Sequence, residues 1–283
     1  MSEEKKKYTT EWSFSFDKIA DEIQNAFKGE PGELKHQQFV EPLNGATSAG
    51  IRIDLSINES FIYALPEDDD RLIVADLMYY GDIDFSTTGD AERQTRLREM
   101  NSGGKFLRHF KDNSKLSWKI GIHPSVPVNL EIHAGVGRVN LDLKTISLYD
   151  LKLECGAGSI ELHLPAQFQS LKYNGGVGKT FITIPDYATG ALNLGIGVGK
   201  LEAEIGAQAN LDLHIDGGVG PCDIHLSQDN AYQLHATTGI GSIKTDSRGK
   251  KVGDNEWRTH DYESASRRVN MRYNGGVGSF KLK

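Results

Sequence analysis

Through the second half of the chain, apolar residues occupy alternate positions and the pattern is interrupted at regular intervals by paired glycines. Leu130 and Ile132 stand five and three residues before Gly135-Val136-Gly137. Val139, Leu141 and Leu143 follow it, with Asn140 and Asp142 between them. The same arrangement surrounds Gly156-Ala157-Gly158, Gly176-Val177-Gly178, Gly197-Val198-Gly199, Gly218-Val219-Gly220, Gly239-Ile240-Gly241 and Gly276-Val277-Gly278. Successive first glycines lie 21, 20, 21, 21, 21 and 37 residues apart. Period-two alternation marks a strand with one face inward and one outward. Each repeat therefore reads as strand, glycine bend, strand, and a ~20-residue coil at ~3.3 Å per residue has a contour of roughly 70 Å. No such coil buries its apolar face alone, so the coils stack, each pairing in parallel with the next in chain order. The expected fold class is all-β, a parallel β-solenoid, with the middle residue of each Gly-x-Gly forming an inward ladder.

Upstream the pattern is less regular. Gly50–Leu55, Phe61–Leu65, Leu72–Leu77 and Leu116–His123 alternate like strands, whereas Thr87–Lys115 is polar and reads as a long, poorly packed excursion. Ser15–Phe27 is predicted as a short amphipathic helix, with Ile19, Ile23 and Phe27 on one stripe and Gly29 and Pro31 beyond its end. Trp12, Phe14 and Phe16 lead into it, and Gly29–Gly45 reads as a linker. The organisation is then an N-terminal helix and linker over 1–46 and a solenoid over 47–283. Within the solenoid, 47–123 is an irregular cap region and 124–283 holds the regular coils, with an insertion near 247–266.

Composition narrows the function classes. The 283 residues carry a net charge of −7 with no dominant basic block, which argues against nucleic acid as a partner. No stretch approaches the 18 apolar residues of a membrane span, and no apolar run follows the basic residues of the N-terminus. Cys155 and Cys222 are the two cysteines, too few for a disulfide framework, and a cytoplasmic location is expected.

Motifs that suggest chemistry dissolve on inspection. Gly175-Gly176-Val177-Gly178-Lys179-Thr180 ends like a phosphate-binding loop. However, Tyr173 stands where that loop needs glycine, and a strand follows where it needs a helix. Thr180, Cys222 and Phe280 occupy the place an Asp holds in calcium-binding solenoids. His214 and His235 each lie four residues before a bend and are expected to stack on adjacent coils. His163 and His225 share a position three coils apart. No carboxylate or cysteine joins either pair to complete a metal site. Cys155 and Cys222 are expected as packing residues too distant to pair. No hydrolase elbow or zinc-protease motif occurs, so no catalytic, cofactor or metal residue is assigned. Glu202 and Glu204 read as solvated outward side chains.

Two irregular features are candidate interaction sites. The insertion from Asp246 to Arg268 sets Trp257 and Tyr262 among Lys250, Lys251, Arg258, Arg267 and Arg268, suited either to partner contact or to capping the open end. The N-terminal helix, with Trp12 and Phe16, is suited to docking on a solenoid edge, to a protein partner, or to peripheral membrane contact.

With the repeat established, the chain resembles the toast-rack or "putative adhesin" β-solenoid family, which includes the C-terminal domains of LiaF-type cell-wall-active antibiotic response proteins. The resemblance is carried by Ala49–Leu55, Leu72–Leu77, Trp118–Pro124, Val126–Ile132, Gly156–Ser159, Trp257–Thr259, Tyr262–Ala265, Val269-Asn270 and Gly275–Gly278. It spans roughly residues 47–283. It implies a sensing or scaffolding module of bacterial envelope-stress pathways, attached in relatives to membrane segments or signalling modules, with no catalytic residues to carry over. The expected function is thus a non-enzymatic binding module acting by protein–protein contact, its partner unidentified and its open ends permitting oligomerisation. An adhesin-like or carbohydrate-binding surface protein is the alternative.

Overall fold

The computed structural model describes residues 33–100 and 116–283. These form seventeen strands joined in one continuous sheet, with no helix among the described residues. The predicted helix, Trp12 and Phe16 lie outside them.

The chain enters through β1 (Lys35–Pro42), β2 (Ser48–Ala64), β3 (Arg71–Tyr79), β4 (Asp82–Thr88), β5 (Glu92–Met100) and β6 (Ser117–Ile122). The repeats follow as β7 (Val128–Asp142), β8 (Leu148–His163) and β9 (Gln167–Ile184), each running unbroken through its bend. Then come β10 (Thr189–Gly195) with β11 (Val198–Ile205), β12 (Asn210–Val219) with β13 (Cys222–Leu226), and β14 (Ala231–Lys244). β15 (Lys250–Gly253) and β16 (Glu256–Arg258) occupy the insertion, and β17 (Arg268–Leu282) ends the chain.

Every coil is an arch of two arms meeting at the glycine bend, and the arches stack in parallel register. Leu130 pairs with Leu151, Ile132 with Leu153, Val139 with Ile160 and Leu141 with Leu162, so like residues form continuous inward ladders. β2 is the first rung of this stack: Ile51, Ile53 and Ile62 lie beside Leu130, Ile132 and Leu141. The ladders of both arms converge on one core, in which Ile53, Ile132, Leu141, Leu171, Leu201 and Ile224 are all buried.

The bends explain the glycines. Gly158 has φ +141°, a conformation that L side chains rarely adopt, and a Cβ there would lie 1.8 Å from the carbonyl oxygen of Gly137 on the coil below. The same overlap recurs at Gly178, Gly199, Gly220, Gly241 and Gly278. The first glycines Gly156, Gly176, Gly197 and Gly218 likewise lack the space for a Cβ against the neighbouring carbonyl. Thus Gly135 and Gly137, and their counterparts up to Gly239, Gly241, Gly276 and Gly278, are the sites where one backbone rests directly on another.

Four expectations are corrected. Part of the predicted linker is strand β1, antiparallel to β3, with Phe39 against the rings of Tyr79 and Phe85 at 6.4 and 5.6 Å. Part of the predicted excursion is the β4–β5 hairpin, whose β5 pairs with β2 and buries Leu97. Its strand pattern is masked by arginines that the fold neutralises: Arg93 by Glu41, Arg96 by Asp54, and Arg98 by Asp84. Residues 101–115 lie outside the described residues.

The third correction concerns stacking order. β17 pairs in parallel with β12 and β13 on one side and with β14 on the other, so the last repeat in sequence sits between the fifth and sixth. His214 and His235 are therefore not adjacent, and Arg272 lies between them in register. Within β17 the rings of Tyr273 and Phe280 stack at 4.6 Å across the bend, and the small Ala236 of β14 lies beside Tyr273. The fourth correction is at the bend, where the middle residues point outward.

The bend makes a quantitative prediction. Gly178→Ala should cost about 3 kcal/mol or more, from the forbidden φ and a 1.7 Å overlap with Gly158 O. Gly195→Ala, whose nearest neighbour is the Asn174 side chain at 3.2 Å, should cost under about 1 kcal/mol. Chemical denaturation of the two variants measures the difference.

Candidate functional site

The middle residues of the bends form one in-register row: Val136, Ala157, Val177, Val198, Val219, Val277 and Ile240. The valines and Ile240 are 44–70% exposed. Alternation fails as a guide here because the bend reverses the inward parity, from even-numbered Leu130 and Ile132 to odd-numbered Val139 and Leu141. At the ~4.8 Å spacing of paired strands, seven rungs make an apolar stripe ~29 Å long. Such contiguous apolar surface marks interaction sites.

The stripe is bordered asymmetrically. On its first-arm side Asp54, His133, Glu154, Asn174, Gly195 and Asp216 run in register. On its second-arm side stand Arg138, Ser159, Lys179 and Lys200. A partner thus meets an apolar row between an acidic and a basic margin. Much of the first-arm charge is paired across coils. Glu131 accepts from Lys152 Nζ at 2.8 Å, and its carboxyl is held below the usual range by that bond and by His133 at 2.8 Å. Glu202 is likewise held low by Lys200 at 2.6 Å, consistent with a solvated ion pair rather than an acid–base couple.

The phosphate-loop resemblance is resolved by packing. Thr180 points into the core, buried, with its hydroxyl 2.6 Å from that of Tyr173. Burial raises the Tyr173 phenol to about 12. Both cysteines are free, and burial raises the Cys155 thiol to about 12 and Cys222 further still, so neither is a ready thiolate. His163 and His225 occupy one ladder position through Thr183 and Glu204, three coils apart as expected. No cluster of three metal-ligating residues occurs among the described residues.

The insertion folds back across the first arm of β14. Its β16 pairs antiparallel with Gln233–His235, placing Trp257 opposite Leu234 and partly buried against the end of the core. Tyr262 lies between Arg258 and Arg268, 5.9 and 5.1 Å from its ring centre, and its hydroxyl bonds Asn270. Arg258 also pairs with Glu263. Arg267 donates to the carbonyls of Tyr187, Ala188 and Gln208, lacing two stacked turns together. At the root of the insertion Asp246 accepts from Tyr232 Oη at 2.6 Å and Arg248 Nε at 2.7 Å. Trp257, Arg258 and Tyr262 thus engage their own chain, while the stripe is the surface that sequence reasoning placed on the wrong face.

The family described as "N-terminal domain of toast_rack, DUF2154" matches residues 31–184, over half of the chain. No curated protein matches. Among solved structures, the chain is similar to a "putative cell adhesion protein" from Clostridium sporogenes ATCC 15579. The two are 17% identical over 89% of this chain and 99% of that one, with a TM-score of 0.46. It is also similar to a "putative adhesin" from Bacteroides fragilis NCTC 9343, 12% identical over 89% and 97% of the two chains, with a TM-score of 0.40.

Two outcomes follow. Val198→Ser on the exposed row should change stability by less than about 1 kcal/mol, whereas Leu192→Ala in the core should cost about 2–5 kcal/mol, both measured by denaturation. Burial alone would raise the Asp246 pKa, but the bonds from Tyr232 and Arg248 outweigh it and hold it below 3.8. A depressed carboxylate contributes stability that is present above its unfolded value and lost as pH falls through its folded one. Hydrogen exchange across β15–β16 should therefore accelerate, beyond the intrinsic rate change, below about pH 4. Asp246→Asn should be loosened already at neutral pH.

Proposed function

The chain belongs to the toast_rack family, and from that premise we propose that it is a non-enzymatic scaffold that binds another protein along the bend edge of its arches. The exposed apolar row from Val136 to Ile240 carries this reading. A rigid linear stripe flanked by charges of opposite sign suits a strand or helix that presents an apolar row with carboxylates on the flank facing Arg138, Lys179 and Lys200. Val177 on the row and Lys179 on that margin are both exposed.

The pairing of core-facing hydroxyls and the high thiol pKa values support a role without covalent chemistry, since the candidate nucleophiles are packed or protonated. A regulatory role in bacterial envelope-stress signalling, on the cytoplasmic side, is the setting we propose for this contact.

The test is affinity capture from native lysate, membranes included, with the full chain and with a Val177→Ser/Val198→Ser double variant. The expected result is a specific protein whose recovery falls about tenfold with the double variant, as removal of central interface anchors does, while the melting temperature is unchanged. Equal recovery by both chains would remove the stripe as the working surface. Binding confined to glycan or cell-wall fragments would favour an adhesin-like role instead.

A further inference from the structure

Among the described residues, the stack leaves one strand margin bare. β16 covers β14 only over Gln233–His235, and the Ala236 N–H donates to Asn255 O. From Thr237 to Lys244, β14 pairs with β17 alone among the described residues. The in-register bonds elsewhere show which groups are left open. Gly220 N–H donates to Val277 O on the next rung, and Leu201 N–H to Pro221 O. Their equivalents on the terminal rung, Gly241 and Ile243, direct their N–H groups at the open margin. On the first arm Tyr232 and Ala236 turn their backbone groups toward the insertion, so Thr238, two residues on, faces the margin beyond it. Thr238 Oγ1 is buried there without a hydrogen-bond partner among the described residues.

Other margins carry devices that discourage strand addition. β1 holds Lys35, His36, Glu41 and Pro42, and β4 holds Asp82 and Asp84. Thr237–Ile243 has neither charge nor proline, and Ile240 on it is 70% exposed.

We propose that the occupant of this margin is a second copy of the same margin, paired antiparallel about a two-fold axis between Ile240 and Gly241. This register meets two independent conditions. Antiparallel partners must share a face, and core-facing Thr238 and Ile243 then pair, as do outward Thr237 and Lys244. Hydrogen-bonded partners must both aim their backbone groups at each other, and Thr238 and Ile243 are two of the residues that do. The bend, reversing parity between the arms, makes the strand self-complementary. The two-fold exchanges the arms of the arch and carries the apolar row of one copy into that of the other, with Ile240 of each copy opposite Gly241 of its partner. Such an interface is isologous and closes after two copies.

The test is sedimentation velocity of the full chain up to about 200 µM, a range that detects dissociation constants weaker than 10 µM. The expected result is a reversible dimer of twice the 31.2 kDa chain mass. The register predicts sign as well. Thr237→Lys, which sets like charges opposite each other twice, should weaken the dimer by about three- to tenfold, and Thr237→Glu, opposite Lys244, should tighten it by a similar factor. Thr237→Lys combined with Lys244→Glu should restore it. Val198→Ser should leave it unchanged, which separates this pairing from the stripe proposed above. A chain that stays monomeric throughout overturns the proposal, even if removing residues 1–32 then permits pairing. A dimer indifferent to the charge at Thr237 overturns it equally.

Discussion

The structure depends on a backbone resting on a backbone. At every bend the carbonyl oxygen of one glycine lies where the Cβ of the glycine above would be, as Gly137 O does beneath Gly158. This contact sets the register of the whole stack. With the bend seated, Leu130, Leu151 and Leu171 fall in line, as do Leu141, Leu162 and Ile182. A slip of one residue would turn each inward ladder to solvent. Register, core and the outward rows are consequences of a single close approach that only glycine permits.

The same approach explains why the surface is organised in rows. Identical positions on successive coils lie one strand spacing apart, so any preference repeated in the sequence becomes a line on the molecule. Inward lines make the core. Outward lines alternate charge, as Arg52, Asp54, Glu131, His133 and Lys152 do across three strands, and neutralise each other between coils. The bend line is the exception. It is apolar and outward, and its neutral character is repeated at all seven rungs, which is difficult to attribute to solvation. Among the candidate reactive side chains, Thr180 is hydrogen-bonded to Tyr173, and Cys222 lies in the core between Leu201 and Phe280.

The ends of the stack are managed unequally. At the entry end β1, β3 and β6 extend one arm and β5 with β4 extend the other, and the outermost strands carry charge or proline. At the far end the insertion covers one arm, anchored by Asp246, Arg248 and Arg267, and among the described residues the other arm pairs with β17 alone. Placing β17 inside the stack makes this arrangement possible, because the chain can reach the terminal rung, lay down the cap, and return to close the gap beneath it.

The amino-acid sequence by itself determined the coil. Alternation at Leu130, Ile132, Val139 and Leu141, the recurring glycines and the 21-residue spacing specify strand, bend and strand, since each of these is a property of a residue relative to its own neighbours in the chain. It also argued against a phosphate loop and a calcium ladder, through Tyr173 and through Thr180, Cys222 and Phe280. It left β1 and the β4–β5 hairpin unread, because their polar faces are balanced by ion pairs with distant strands. Tertiary structure alone decided which coil stacks on which. Leu213 and Ile215, Leu234 and Ala236, and Met271 and Tyr273 present equivalent ladders, so the chain pattern does not order them, and the order is read from the pairing of β17 with β12 and β14. The facing of the bend valines was decided there too. A strand's period says which residues share a face, but where glycines reverse that period, only the stacked backbone says which way the face is turned.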